Sequence, residues 1–394
     1  MPERVLTAAE LSRASLARQL LLEPASLDPV TAVEQLVALQ AQEPASPYLA
    51  LWTRLAGFKA ADLHQAFHDR TVVKGTLLRV TLHVVSARDY RLYWPALAPR
   101  LRHWREPMLR QVGLGPEIEA LAGQAAAFAA EPRFGTELRD HLPALTGDPG
   151  PAGQTDSWWA IRPFLPFLMA PGEPPWSFGR RPRFVAAQSW LGTELADPGA
   201  GLRHLIERYL AGFGPAGIDD IHKFSHIPAP VLRAVMEAPG AGLLTFRDSK
   251  GRRLYDVPDA PLPPGDTPAP VRFLPMWDSL LLAYADRDRV MPAAQRPMVI
   301  RKNGDFLPTF TVDGLVAGLW RADRVDGRSQ VTPLPFAPLK PDVQDAVMAE
   351  AARLERFIEP LEPAVYSRYA TTWLKDQPAR GSIDGNVTHD GQSG

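Results

Sequence analysis

Helical patterns followed by a pair of β-branched runs recur about three times along this chain, and that order narrows the possible folds more than any other feature. Residues 8–22 carry Leu11, Leu16, Leu20 and Leu22 as an apolar stripe, with Arg13 and Arg18 outside it. Asp28-Pro29 supplies an N-cap and a proline suited to the first helical position. The helix it opens carries Val30, Val33, Leu36 and Val37 on one face and runs toward Gln40. Short helices are predicted around residues 49–52 and 60–67, then strands within residues 72–85. Helices before strands is the order of a winged-helix unit. A helix over residues 87–110 clusters Arg100, Arg102, His103 and Arg105, and helical patterns at 123–131, 136–142 and 158–169 precede a strand-like run at 183–185. A third unit reads as helices through 201–210, 218–224 and 228–237, with strands at 243–246 and 253–255. No repeat of fixed period accompanies this recurrence.

The Pro/Gly-rich residues 258–270 read as a linker. Strand-like runs follow at 271–274, 298–300 and 310–312, and Asn303-Gly304 between two of them is a type I′ hairpin signal. A long helix over 342–358 closes the fold, and the polar composition of residues 376–394 predicts a disordered tail. The expected fold class is α+β, with about three units in winged-helix order and a β-rich C-terminal region, which the family resemblance given below makes three tandem winged-helix motifs and a β-barrel-like region. The expected boundaries are 1–125 and 126–198 for the first two winged helices and 199–262 for the third. Residues 263–375 form the β-rich region and 376–394 the tail.

At 394 residues the chain exceeds one ordinary core. It has no cysteine, which removes disulfides, thiol nucleophiles and thiolate metal sites. No apolar run is long enough to span a membrane, and Met1-Pro2-Glu3-Arg4 does not begin a signal peptide, so a cytoplasmic location is expected. The formal net charge is -1, so any nucleic-acid contact must rest on local basic clusters. Its 36 arginines against 7 lysines suit phosphate recognition but equally suit a GC-rich coding sequence. Walker A, GxGxxG and GxSxG patterns are all missing, which leaves nucleotide cofactors and a serine nucleophile elbow without support. The pairs His64/His68 and His222/His226 have zinc-like spacing, yet neither is HExxH, and surface or capping roles suit them better. Asp219-Asp220 and Asp286 to Arg289 read as solvated loops. No metal and no cofactor are expected.

Three segments remain as candidates. Gln40 and Gln42 lie one residue apart where a helical pattern meets Pro44. In a helix their side chains would diverge, but in extended backbone i and i+2 share a face. Each amide offers both an acceptor and a donor, so such a pair suits holding one water molecule. By itself the spacing is weak, since glutamine is common at helix ends. Arg79, Thr81 and His83 alternate on a predicted strand, three polar groups on one face. Arg301, Lys302 and Asn303 place two cations and an amide at a hairpin tip, suited to a DNA backbone.

Taken together these segments resemble the AlkZ/YcaQ-type winged-helix DNA glycosylases. Residues 36–44, Leu-Val-Ala-Leu-Gln-Ala-Gln-Glu-Pro, match the family's N-terminal signature, followed by Leu49-Ala50-Leu51-Trp52. The Arg-x-Thr-x-His run from Arg79 is similar to a second segment, residues 274–287 to a third and residues 312–321 to a fourth, all in family order. Glutamine at position 42 matches the AlkZ branch, where the YcaQ branch carries aspartate. Val80 departs from the family, which usually has glycine there, so the strand about it could be shifted. The resemblance implies winged helices and a β-barrel-like region around double-stranded DNA, and hydrolysis of bulky N7-alkylpurines, with the unhooking of interstrand crosslinks from natural genotoxins. It implies Gln40 and Gln42 as catalytic residues. Arg79, Thr81, His83, Arg301, Lys302 and Asn303 are expected as DNA contacts, and the enzyme is expected to act as a monomer. The alternative is a non-enzymatic winged-helix regulator or a drug-sequestering resistance protein, which abasic-site formation would exclude.

Overall fold

The computed structural model describes residues 3–103, 117–142, 157–179 and 181–369, together with Glu106 and Leu109. The predicted tail at 376–394 lies outside them. The N-terminus is tied far along the chain: β1 (Val5–Leu6) pairs in parallel with β8 (Leu244–Asp248), which forms a hairpin with β9 (Arg253–Asp256). A capping box at Thr7 and Glu10 then starts the helix Ala8–Arg18. At its end buried Arg18 grips Asp256 through two bonds of 2.7 and 2.8 Å.

The second sheet has six strands in the order β2-β4-β3-β6-β7-β5. They are β2 (Leu39–Gln40), β3 (Val72–Thr76), β4 (Leu82–Ser86), β5 (Arg133–Phe134), β6 (Phe167–Ala170) and β7 (Arg183–Ala186). Strands from both of the first two expected units thus share one antiparallel sheet, joined where Lys74 pairs with Met169 and Gly75 with Leu168. Gly75 is required at this seam, because an added Cβ would lie 2.9 Å from the Tyr90 ring. The sheet is flanked by the helix Ala87–His103, against which the helix Pro198–Phe213 packs.

The third sheet is a meander of β10 (Arg272–Leu274), β11 (Thr309–Val312), β12 (Leu315–Val325) and β13 (Arg328–Pro335). It corrects the barrel-like expectation, because among the described residues β10 and β13 are separate edges and the sheet stays open. The helix Pro341–Ile358 packs on β13 and β10 instead, burying Val347, Ala351, Leu354 and Ile358.

Local expectations fail where packing overrides pattern. The helix begun by Asp28 covers only Pro29–Gln35, because Val37 adopts a left-handed conformation with φ 70°. The apolar run 158–169 divides into a helix, Ser157–Ile161, a 3-10 turn, and strand β6, since its last residues pair with both β3 and β7. Residues 298–300 are not a strand: Arg296–Val299 is helical and Ile300 forms a single bridge to Phe306.

Candidate active site

The early stop of the helix Pro29–Gln35 decides the geometry of the glutamine pair. After Val37 the backbone straightens into β2, where Gln40 stands opposite His83 on β4. The Ala41 amide donates to Leu82 O at 2.9 Å, and the Ala41 side chain is fully buried. Gln40 ends the strand and Gln42 follows in a bend, so the two side chains are brought together by their bonds to residues 81 and 82 and not by strand alternation alone. Gln40 is 6% exposed, whereas Gln42 is open to solvent.

Both amides are anchored on the same neighbouring segment. Gln40 Nε2 donates to Thr81 Oγ1 at 3.3 Å, and Gln40 Oε1 accepts from the Ala41 amide at 3.1 Å. The Thr81 hydroxyl passes its own proton to Leu78 O at 3.0 Å. Gln42 Oε1 accepts from the Leu82 amide at 3.0 Å. This arrangement turns Gln42 Nε2 outward as a donor and leaves Gln40 Oε1 with a second lone pair.

The segment 79–83 is not the straight alternating strand that the sequence predicts. Leu78–Val80 is a 3-10 turn with Arg79 at φ 54° and Val80 at φ 58°. Left-handed backbone is costly for a β-branched side chain such as that of Val80. The turn sends Arg79 back over His83: Nη2 lies 3.2 Å from His83 Nε2, and Nη1 donates to Phe224 O at 2.9 Å. His83 is fully buried, and its Nδ1 donates to Thr81 O at 3.0 Å. Both ring nitrogens of His83 are engaged inside the protein, and the side chain presents no exposed surface, unlike the strand-face position expected for it. Burial, reinforced by Arg79, holds its pKa well below the usual histidine value, so the ring is neutral. Burial also lowers the pKa of Arg79 to about 10, with help from Arg287, yet it remains a cation at neutral pH. His226, at a helix end nearby, falls to about 4 through burial and then through Arg79, Lys223, His222 and Arg100. Burial first, and the neighbouring cations second, therefore keep both imidazoles neutral beside a charged Arg79.

Glu43, the carboxylate next to the pair, is 7% exposed and committed elsewhere. Its Oε1 accepts from Tyr369 OH at 2.6 Å and forms an ion pair with Arg368. Tyr369 in turn meets the Trp277 ring edge-on, with centroids 6.0 Å apart. Nothing in the sequence signalled Arg368 or Tyr369. Trp277 lies in a quoted family segment but was assigned no role.

The loop at Arg301, Lys302 and Asn303 reaches the same region by another route. The Phe306 carbonyl accepts from the Trp277 amide at 3.2 Å, and the Arg287 guanidinium sits 5.4 Å from the Phe306 ring centre. The Gly304 amide donates to Arg301 O at 2.9 Å, and within the turn only Gly304 has positive φ, 89°. That is a type I turn followed by a glycine bulge, in place of the expected type I′ turn. Lys302 and Asn303 are exposed at the tip, while Arg301 is half-buried. Asn303 is held by Asp305, which accepts from its Nδ2 at 2.9 Å.

Among the described residues no three His, Asp or Glu side chains are grouped as metal ligands, and no helix is long and apolar enough to cross a membrane. His64 is bonded to Tyr48 and Ser177, and His222 Nδ1 donates to Ile227 O.

Comparison with solved structures finds the Streptomyces sahachiroi DNA glycosylase AlkZ at a TM-score of 0.74 and 21% sequence identity, covering 91% of this chain and 98% of that one. No curated protein sequence matches. A profile of the DNA glycosylase AlkZ-like family matches residues 33–357, from the helix before the glutamine pair to the end of the long C-terminal helix. The chain therefore belongs to the AlkZ-like family of DNA glycosylases, and its substrate is DNA.

Proposed function

We propose that this enzyme hydrolyses the N-glycosidic bond of bulky N7-alkylpurines in double-stranded DNA, including purines joined in interstrand crosslinks, without forming a lyase intermediate. The observation that carries the reading is the complementary pair of valences on two amides bonded to adjacent residues, Thr81 and Leu82: an acceptor at Gln40 Oε1 and donors at exposed Gln42 Nε2. A water that donates to the first and accepts from the second keeps a lone pair for C1′.

Alkylation at N7 makes the purine a cation, so it departs without a general acid. The oxocarbenium ion left behind is electrophilic enough that its nucleophile needs placement more than deprotonation. Two neutral amides suit that task, and neither has to act as a base. Gln40 and Gln42 are the catalytic residues in this reading. Thr81 is a positioning residue that sets the rotation of the Gln40 amide. His83 supports the Thr81 backbone from below, and half-buried Arg79 adds positive potential toward the phosphates. Arg301, Lys302 and Asn303 carry the DNA contacts of the loop, and exposed Gln42 faces solvent instead of a closed pocket. An open site suits adducts too large to be flipped into a closed pocket.

The test is base release from a duplex carrying an N7-alkylguanine, read as alkali-labile abasic sites. Gln40→Ala and Gln42→Ala are each expected to slow release by about 10²-fold, the scale of a misplaced reactant, while the fold is retained. Full activity in either folded variant would end the water-positioning role.

A further inference from the structure

Trp277 occupies a backbone conformation that its side chain resists. Asp278 N–H donates to Pro275 O at 3.3 Å, which closes a turn in which Trp277 has φ 53°. Only the third turn position is left-handed, as in a type II turn, where glycine or asparagine is the unstrained choice. A bulky residue held there signals that the position of its side chain has value. The indole packs against the edge of the core yet stays only half-buried, which leaves part of the ring open to a ligand.

The turn is held rigidly from both sides. Asp278 forms two bonds to Arg54, at 2.8 and 2.9 Å, and Ser279 Oγ donates to Ala38 O at 2.7 Å, just before the strand that bears Gln40. The Trp277 amide is bonded to the loop carbonyl of Phe306 at 3.2 Å. The turn that carries the indole is thus tied on one side to the residue before the glutamine strand and on the other to the basic loop. Its neighbours are the Tyr369 ring, met at 81°, and through Tyr369 the carboxylate of Glu43. Asp305 is close enough to act on the Tyr369 hydroxyl, whose pKa is raised chiefly by burial. Arg368 pairs with Glu43 and lies 4.9 Å from the Tyr369 ring centre, so its charge is matched by a carboxylate.

We infer that Trp277, backed by Tyr369, is a recognition residue that selects the alkylated purine by its positive charge, stacking the indole face on the cationic ring system. Tryptophan has the strongest cation-binding face of the aromatic side chains, and it also stacks on any base. A neutral purine of the same shape would keep the stacking and lose the charge attraction. This inference rests on the proposed reading of the site as one that takes N7-alkylpurines.

The two can be tested apart. Two duplexes with a 2′-fluoro sugar, which blocks base loss, carry either N7-methylguanine (cationic) or 7-deaza-7-methylguanine (neutral). The wild-type enzyme is expected to bind the cationic duplex about 2- to 30-fold more tightly, the range of cation–π attraction from exposed to desolvated sites. In Trp277→Leu that ratio is expected to fall to near one, with affinity for the neutral duplex reduced far less. Trp277→Gly suits the left-handed turn, so it tests the same loss in a variant whose backbone is unstrained. An unchanged ratio in either folded variant, or a wild-type ratio of one, would overturn the inference. A merely structural role would weaken both duplexes equally and leave the ratio intact, which also overturns it. Failure of the glycosylase reading would show separately, as no base release from an unblocked N7-methylguanine duplex.

Discussion

Replacing Thr81 by valine removes one oxygen from the site at almost constant volume. That oxygen makes two bonds, to Leu78 O at 3.0 Å and from Gln40 Nε2 at 3.3 Å. At a net 0.5–1.5 kcal/mol for each bond, the cost to folding is about 1–2 kcal/mol, toward the lower end because half-buried Thr81 lets water replace part of the loss. The catalytic effect is a different quantity. The Gln40 amide would keep only its bond from the Ala41 amide at 3.1 Å, and would sample rotations that point Oε1 away from the reacting face. Losing about 1–1.4 kcal/mol of preference for the productive rotation corresponds to a roughly 5- to 10-fold slower step. Single-turnover base release at saturating DNA is expected to fall by that amount, with DNA affinity by fluorescence anisotropy unchanged. Thr81→Ser, which restores the hydroxyl, is expected to recover most of the rate. If Thr81→Val instead weakened binding and left the saturated rate intact, Thr81 would be a DNA contact, and its assignment to Gln40 would be refuted.

The other expectations concern charge. Asp278→Ala strips a buried guanidinium of its partner, since Arg54 and Asp278 are each 1% exposed. Urea unfolding is expected to register a loss of about 3–5 kcal/mol. Lys302→Ala at the exposed loop tip is expected to weaken DNA binding independently of sequence and to reduce the salt slope by about 0.9 if the lysine meets one phosphate. Both His83 and His226 have folded pKa values below 6.5, with burial as the first cause and Arg79 next. The unfolded chain therefore takes up protons first as the pH falls, so stability is full above about pH 6.5 and is lost below it. His83 alone is expected to contribute about 1.4 kcal/mol per pH unit, and half-buried His226 less. Urea midpoints compared between pH 7 and 5 check this, and a flat profile would contradict the buried, neutral state of His83.

How far the site could be read from sequence depended on the range of the interactions involved. The Asp28 cap acts over three residues and is visible as a short string, whereas the helix end expected at Pro44 falls earlier, after Gln35, because packing holds Val37 left-handed. The glutamine pair was legible for the same reason, once extended backbone was assumed. Arg79, Thr81 and His83 were correctly grouped but wrongly imagined as a flat strand. Their turn depends on two left-handed residues, one of them a valine that nothing local favours there. The predicted hairpin at Asn303 kept its glycine and lost its turn type, because the flanking segment is helical through Val299.

The sequence by itself determined much of the order of helices and strands, the Asp28 cap, and two amides that share a face whenever the chain straightens. Tertiary structure alone decided that the chain straightens there, with β2 pairing on β4 some forty residues away. It likewise decided that His83 lies under the site, that Glu43 is held by Arg368 and Tyr369 from the far end of the chain, and that Trp277 is forced into a turn between the glutamines and the loop. The physical reason is that capping and period-2 alternation are local energies, readable from neighbouring residues. Burial, pKa depression and backbone strain arise only when distant segments exclude water together.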